Sequence, residues 1–464
     1  MAKVIFIQKK QLMQQEYIGV MQISAYLKLH KHSCDLIISD NKDEIINELI
    51  QYKPDIIAFS VMTIYSKWVL DIASCIKAVK INSIIIAGGP HPTYFPDFIT
   101  NDCIDIISIG EGEASILELA NAVDKGESYT GIKNLHVKKY GEIFKNPIRP
   151  LMDINTLPYP DRELYLKYPI YQNQRNYNFN VSSGCYYDCS FCFIHQWNKL
   201  YDFEDKKKLI RLKSIDRAIN EIEEFSKKCK TTLVTFADST FNLDKKWTID
   251  FLAEYKKRIS IPFTLNLRAN LADEDIIKAI AETNLCHSVR MGIEVGNEEI
   301  RNKVLHKNIK NTQIYNTVEL LKKYKIKLIV YMMFGLPGET LKDAYETIEM
   351  CRRIKPFSFS CQIFHPYPGL NITEYSIKNG YLKAENVQKL ADADYKIFNS
   401  VLEQKEIKEV INLYKFSVIA IKFKFLSPLI KLLTRCKPNP IFDFIYACSS
   451  YFMLRKYTVL PLRK

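Results

Sequence analysis

The chain has 464 residues, 47% of them hydrophobic and 25% charged, with a formal net charge of +13. That length is too great for one ordinary core and implies two to four domains, and the composition is that of a globular protein rather than a disordered or fibrous one. The first residues, "MAKVIFIQKKQLMQQE", show no long apolar run or small-residue cleavage site, and no stretch reaches the length of an uncharged span, so a cytoplasmic chain in a reducing compartment is expected.

In chain order, residues 3 to about 125 alternate short apolar runs ("KVIFI", "CDLIIS", "DIIAFSV", "SIIIAGG", "IDIISIGE") with helical patterns ("GVMQISAYLKLHK", "KDEIINELIQY", "SKWVLDIASCIKAV", "EASILELANAV"). Five such strands predict a doubly wound, flavodoxin-like or Rossmann-like parallel sheet buried on both faces, over 1–145. Ligands on such sheets lie beyond the carboxyl ends of the strands. Those ends read "SVMT" (60–63), "GGPHPT" (88–93) and "GEGE" (110–113), small enough for close backbone approach. Residues 146–175, polar and proline-bearing, read as a linker.

Alternation resumes over 176–385 with "NFNVSS", "TLVTFAD", "FTLNLRA", "SVRMGIE", "KLIVYMMFG" and "FSCQIF", each followed by a helical pattern or turn. Six βα units predict a partial TIM-type barrel with function at its carboxyl-terminal rim. Ser214 before "IDRAINEIEEF" and the Thr340/Asp343 pair before "LKDAYETIEMCRRI" read as helix starts. Residues 386–464 are helical, aromatic and basic. From Val410 onward they carry ten basic residues and one acid, Asp443. Such a region suits a solvated face or an anionic partner, including a membrane surface.

Three of the twelve cysteines, Cys185, Cys189 and Cys192, fall in "GCYYDCSFC" directly after the first barrel strand. Cys75 and Cys351 sit in helical patterns as packing residues, and the others lack ligand spacing. Thiolates hold zinc or iron–sulfur clusters. His195 could complete a Cys₃His zinc site, although zinc sites of that kind usually draw on a second paired ligand group. A cubane held by three thiolates would keep one iron open for a chelating substrate.

The Cys185-x3-Cys189-x2-Cys192 spacing, with Phe191 before the last cysteine, resembles the signature of the radical S-adenosylmethionine (SAM) enzymes. The rim segments resemble that family in order: "FADSTF" with Asp238, Ser239 and Thr240, then Arg268, "GIEVG" with Glu294, "GLPGET" with Gly335 and Pro337, and "PYPG". The resemblance implies a [4Fe–4S] cluster on the three cysteines, SAM held by Phe191, Asp238, Ser239, Arg268, Glu294, Gly335 and Pro337, and production of a 5′-deoxyadenosyl radical. A rim salt bridge is the plainer alternative for Arg268 and Glu294.

The first domain has no G-x-G-x-x-G after strand one, which disfavours a dinucleotide. Its strand ends ahead of such a barrel resemble the cobalamin-binding radical SAM family, the class B methyltransferases among them. That resemblance implies a corrinoid tail cradled by Ser60, Met62, Thr63, Gly88, Gly89, Pro90, His91, Thr93, Gly110, Glu111, Gly112 and Glu113. The D-x-H-x-x-G histidine of many cobalamin domains is missing, and no histidine ligand to cobalt is expected.

The implied reaction is methylation of an unactivated carbon or phosphorus in a small molecule, lipid or natural-product precursor, with electrons from a flavodoxin or ferredoxin. Cyclisation or rearrangement, an RNA methylthiotransferase-like activity, a non-catalytic cobalamin or redox sensor, and an empty first domain stay open. Nucleic acid is not expected, since Cys34, Cys75 and Cys103 should not converge on a second cluster.

Overall fold

In the computed structural model, residues 1–10, 16–201, 203, 205–387 and 399–457 are described. They divide into two compact units, the first built on Met1–Gln174 and the second on Arg175–His195 and the chain from Asp205.

In the first unit, Val4 and Phe6 point into one core with Met21, Leu27 and Leu119, and Ile5 and Ile7 into another with Ile45, Leu49 and Ile72. That alternation with both faces covered is what a central parallel strand requires. The strands are β1 (Lys3–Gln8), β2 (Ser33–Ile38), β3 (Ile56–Ser60), β4 (Ile84–Gly88) and β5 (Ile106–Ser108), parallel in the order β2-β1-β3-β4-β5. Helices Ile18–Leu29 and Glu113–Lys125 cover one face, and Lys42–Tyr52 and Ser66–Ala78 the other. This is the flavodoxin-like order, with its switch point between β1 and β3.

Two elements depart from the sequence reading. The sheet gains an antiparallel hairpin, β6 (Leu135–Lys139) and β7 (Glu142–Lys145), giving seven strands. Its turn is Tyr140–Gly141, both at positive φ (57° and 79°), the twist a two-residue hairpin needs. A tyrosine in that conformation and largely polar strands hid the hairpin.

The expected linker is also packed. Leu164, Tyr165, Leu166 and Tyr171 are buried. The Tyr165 hydroxyl donates to Gln8 Oε1 at 2.5 Å and accepts from Tyr17 N at 2.9 Å. The Tyr168 hydroxyl donates to Leu36 O at 2.7 Å and accepts from Ile38 N at 3.0 Å. Asp161 accepts from Ser24 and Lys28, each at 2.6 Å. The strap turns through two short helices, Glu163–Leu166 and Pro169–Gln172, and its tyrosines bury their rings while their hydroxyls bond strand edges.

The second unit holds β8 (Asn176–Phe179), a short antiparallel pair of β9 (Ser182–Ser183) and β10 (Arg211–Leu212), then β11 (Leu233–Phe236), β12 (Phe263–Asn266), β13 (Cys286–Glu294), β14 (Leu328–Phe334) and β15 (Ser358–Ile363). Six are parallel neighbours in the order β15-β14-β13-β12-β11-β8, an open barrel. The intervening helices begin on side-chain caps: Ser214 accepts from Arg217 N, Asp244 from Trp247 N, Asp273 from Ile276 N, and Thr340 with Asp343 forms a capping box.

The C-terminal helices Ile407–Lys415, Ser417–Lys422, Ser427–Leu433 and Pro440–Tyr457 belong to this unit. Arg352 binds Ala420 O and the Ser427 hydroxyl, and Tyr446 donates to Cys361 O at 3.1 Å. Among the described residues, no helix is long and apolar enough to cross a membrane.

Tyr165→Phe is expected to cost ~1–3 kcal/mol, because it strips a partner from buried Gln8 and from the Tyr17 amide. Urea unfolding checks this, and an unchanged midpoint would return the strap to the status of a linker.

Candidate active site

The cysteine loop leaves β9 through Gly184, whose φ is +90° and where an added Cβ would stand 2.0 Å from Leu209 O. Only glycine fits there. Beneath it, the buried Asp238 carboxylate accepts from the amides of Val181 and Ser182, at 3.0 and 2.6 Å, and from the Ser182 hydroxyl at 2.6 Å. Burial pushes Asp238 up to about 6 against the pull of those bonds. Further along, Ser190 N donates to Leu305 O at 3.0 Å, its hydroxyl to Val304 O at 2.6 Å, and its carbonyl accepts from Ile372 N at 3.1 Å. The loop is thus pinned at its entry and at its middle.

Cys185 and Cys189 are buried and Cys192 is half-buried. Burial raises the Cys185 thiol and pushes Cys192 up to about 11, and the thiols' mutual proximity adds to both shifts. Among the described residues, no three His, Cys, Asp or Glu side chains converge as ligands of one metal ion. His195 is engaged elsewhere: Nδ1 lies 3.2 Å from Asp188 Oδ1 and Nε2 lies 2.8 Å from Asn371 Nδ2. Among the described residues of this loop the donor set is three thiols, and three thiolates are what a [4Fe–4S] cluster with one open iron takes.

Arg268 is buried with Nη1 3.7 Å from Cys189 Sγ, Nη2 on Lys307 O, and its guanidinium 3.4 Å from the Tyr187 ring centroid. It thus sets a cation beside a prospective thiolate. Glu294, at φ +63°, pairs with Lys307, whose ammonium lies 6.0 Å from the Phe191 ring. The rim salt bridge considered for Arg268 and Glu294 joins Glu294 to Lys307 instead. Ser239 is exposed at the end of β11, and Thr240 is hydrogen-bonded to Cys185.

After β14, Gly335 and Gly338 have φ of +76° and +78°, flanking Pro337. Glu339 Oε2 accepts from the amides of Gly335 and Leu336, at 2.5 and 3.0 Å, while buried Oε1 has no hydrogen-bond partner. Burial pushes Glu339 up to about 8. Arg301, fully buried, donates to the carbonyls of Ile293, Val295, Gly296 and Ile309 and to Asn311 Oδ1, binding the 293–296 turn from behind.

The sequence reading missed Gly184, Lys307, Arg301 and Glu339. Gly184 and Glu339 lay inside quoted motifs, whereas nothing local marks Lys307 or Arg301.

In the first unit the strand ends converge. Val61 N donates to Gly88 O at 2.8 Å and His91 N to Val61 O at 2.9 Å, and Thr93 Oγ1 accepts from Gly110 N at 3.2 Å. Gly89, at φ +90°, would set a Cβ 3.1 Å from Val61 N and 3.2 Å from Ser60 Oγ. His91 packs its ring 4.9 and 4.8 Å from Phe95 and Phe98, with Nδ1 3.4 Å from Thr63 Oγ1, and burial lowers it to about 4. Pro90 opens the short helix Pro90–Tyr94. Met62 Sδ accepts from the Tyr17 hydroxyl at 3.5 Å. Glu111 Oε2 accepts from Met152 N at 3.0 Å, and Gly112 and Glu113 start the helix Glu113–Lys125. Small residues, hydroxyls and a helix N-terminus at one sheet end fit a phosphate-bearing nucleotide tail. Cys34 and Cys103 lie in the cores on opposite faces of the sheet, which separates them from any shared cluster.

Comparison with known proteins agrees. Residues 179–351 match the radical SAM superfamily and residues 13–120 the B12 binding domain. An uncharacterised methyltransferase of Pyrococcus horikoshii is 30% identical over 368 residues, 78% of this chain and 76% of its own. The anaerobic magnesium-protoporphyrin IX monomethyl ester cyclase of Rubrivivax gelatinosus is 26% identical over 75% of this chain and 64% of its own. The structure of the radical SAM methyltransferase TsrM from Kitasatospora setae, with cobalamin and a [4Fe–4S] cluster bound, superposes with a TM-score of 0.68 at 15% identity, covering 83% of this chain and 76% of that one. The chain belongs to the B12-binding radical SAM methyltransferase family. It is a radical SAM enzyme whose cofactors are a [4Fe–4S] cluster, SAM and cobalamin.

Gly184→Ala is expected to destabilise the apo-chain by about 3 kcal/mol and to lose most of the iron bound on anaerobic reconstitution. Unfolding curves and iron analysis read both, and parental iron content would contradict the stated role of the glycine.

Glu339 keeps its proton to about 8 in the folded chain against an ordinary 4.5. Folding therefore takes up a proton in that window, and the group's contribution to stability falls as pH rises through it. Glu339→Gln, neutral throughout, should gain melting temperature over the parent from about pH 5 to about pH 8. Parallel melting profiles would place the Glu339 proton elsewhere.

Proposed function

We propose that this chain methylates an unactivated carbon, or a phosphorus centre, of a small molecule, lipid or natural-product precursor. It would work in the cytoplasm with electrons from a flavodoxin or ferredoxin. The observation that carries the proposal is the loop of three neighbouring thiols, with His195 engaged elsewhere, in the unit of the open parallel barrel.

Cys185, Cys189 and Cys192 would hold the cluster. Phe191, Ser239, Glu294 and the Gly335–Pro337 turn would hold SAM. Ser60, Met62, Thr63, Gly88, Gly89, Pro90, His91, Thr93 and Gly110–Glu113 would hold the corrinoid tail. When bound, the cluster and SAM supply a 5′-deoxyadenosyl radical and the corrinoid supplies a transferable methyl group.

The protein's own work is positional and electrostatic. Arg268, beside the cysteine loop, favours the ionised Cys185 thiolate that a metal requires, against the burial that raises the Cys185 and Cys192 thiols. Asp238 braces the backbone leading into the loop through Oδ1, and its buried Oδ2, without a hydrogen-bond partner, would be free to help hold SAM. Lys307 holds the Glu294 carboxylate at the rim. His91, buried and neutral with its ring packed on two phenylalanines, serves the cradle wall rather than a metal.

A second reading, radical cyclisation, is favoured by one observation, the likeness to the Rubrivivax gelatinosus cyclase.

Anaerobically reconstituted protein should hold about four irons on its cluster, together with cobalt, and release 5′-deoxyadenosine from SAM with dithionite. Cys192→Ala should keep its melting temperature and lose both the cluster and that product. Label from methyl-deuterated SAM in the substrate-derived product separates methylation from cyclisation. A chain that binds cobalamin but never cleaves SAM is a sensor, and the proposal fails.

A further inference from the structure

We propose that the C-terminal surface between Lys422 and Tyr451 docks the enzyme on an anionic phospholipid bilayer. The helix Pro440–Tyr457 buries Phe442 and Met453 and points Ile441, Phe444, Cys448 and Tyr451 outward. These four follow a spacing of three, four and three, one stripe of an α-helix. Within the stripe, Ile441 is 67% and Phe444 69% exposed. Upstream, Phe425 is 76% and Leu432 65% exposed, with Phe423 and Leu429 beside them in sequence.

The charges are one-sided. Lys422, Lys424, Lys431, Arg435 and Lys437 are exposed. Among the described residues, the one acid of this region, Asp443, is already paired with Lys415 at 2.6 Å. Exposed phenylalanines alternating with lysines over 422–425, next to helices too short or too polar to span, are the composition of an interfacial segment.

The surface is not loose chain. Arg352 ties Ala420 O and Ser427 to the helix Leu341–Ile354, and Asn412 Nδ2 donates to Thr434 O and Cys436 O at 3.1 and 2.8 Å. These exposed cations and apolar side chains are therefore carried on segments anchored to the barrel unit.

Charge decides the occupant. A second copy meeting this face across a two-fold axis would bring like cations together. An anionic headgroup layer neutralises them while its acyl boundary takes the phenylalanines and leucines.

The test uses full-length protein in vesicle flotation, with phosphatidylcholine alone and mixed with phosphatidylglycerol. Binding should be at least ~10-fold stronger on the mixed vesicles and weaken with salt. Lys424→Gln with Lys437→Gln should remove most of that preference. Phe425→Ser with Leu432→Ser and Phe444→Ser should lower binding ~10-fold or more with folding unchanged by circular dichroism. Hydrogen exchange on the unaltered chain should show vesicle-dependent protection over 422–451, a readout that needs no variant.

Equal affinity for both vesicles, no affinity for either, or protection of other segments would overturn the proposal. So would self-association, or binding of an acidic flavodoxin, that protects this face while vesicles do not. None of these outcomes bears on SAM cleavage, so the docking surface and the catalytic reading stand or fall apart.

Discussion

A metal site that must stay incomplete is harder to build than one that closes. Three thiols have to be held near one another while every other donor within reach is kept occupied. In this chain the constraint is met by anchoring the loop to the barrel from several sides. Gly184 lets it pass against Leu209 O, Asp238 grips the backbone before it, and Ser190 stitches its middle to Leu305 and Ile372. His195, the nearest candidate for a fourth ligand, is taken up by Asp188 and Asn371. Arg268 then brings a positive charge to the sulfur side without bringing a lone pair. The rim chemistry presupposes this arrangement.

Much of the fold could be read from the sequence because its signals are local and redundant. The β-rich runs of both sheets and the caps at Ser214 and Thr340 fall where apolar period and start signals put them. The cysteine spacing was legible for the same reason, since three ligands of one loop must be close in sequence. What escaped depends on distant partners. Lys307 matters because a bulged β13 turns Glu294 toward it, and no window of residues records that meeting. The strap over 161–172 looked like linker because it follows directly on the polar, proline-bearing stretch from Asn146, yet its tyrosine hydroxyls satisfy strand-edge groups more than a hundred residues away. The hairpin at Tyr140–Gly141 escaped because tyrosine is a rare occupant of left-handed backbone.

The two units solve a shared problem by different means. Both place ligand-facing groups beyond the carboxyl ends of parallel strands, where backbone amides and small side chains can come close. In the first unit the strand ends are knitted by backbone bonds and hydroxyls, with His91 kept neutral among aromatic rings. In the second the mouth is charged, with Arg268, Lys307, Glu294 and Asp238 all partly or fully buried. A cradle of backbone groups and small side chains suits a tail that must only be held, and a mouth of buried charges suits a centre where charge changes.

Arg301 gives the barrel mouth an asymmetric stiffness. One guanidinium, out of reach of solvent, spreads its hydrogens over four main-chain oxygens and one amide oxygen around the turn that follows β13. Those bonds share a single hub, so the turn cannot yield a little at one place without loosening the others, and small-amplitude breathing there is suppressed. Whatever widening admits a bulky reactant has to come from the opposite lip, which makes that lip the place where natural variation can retune what the enzyme accepts.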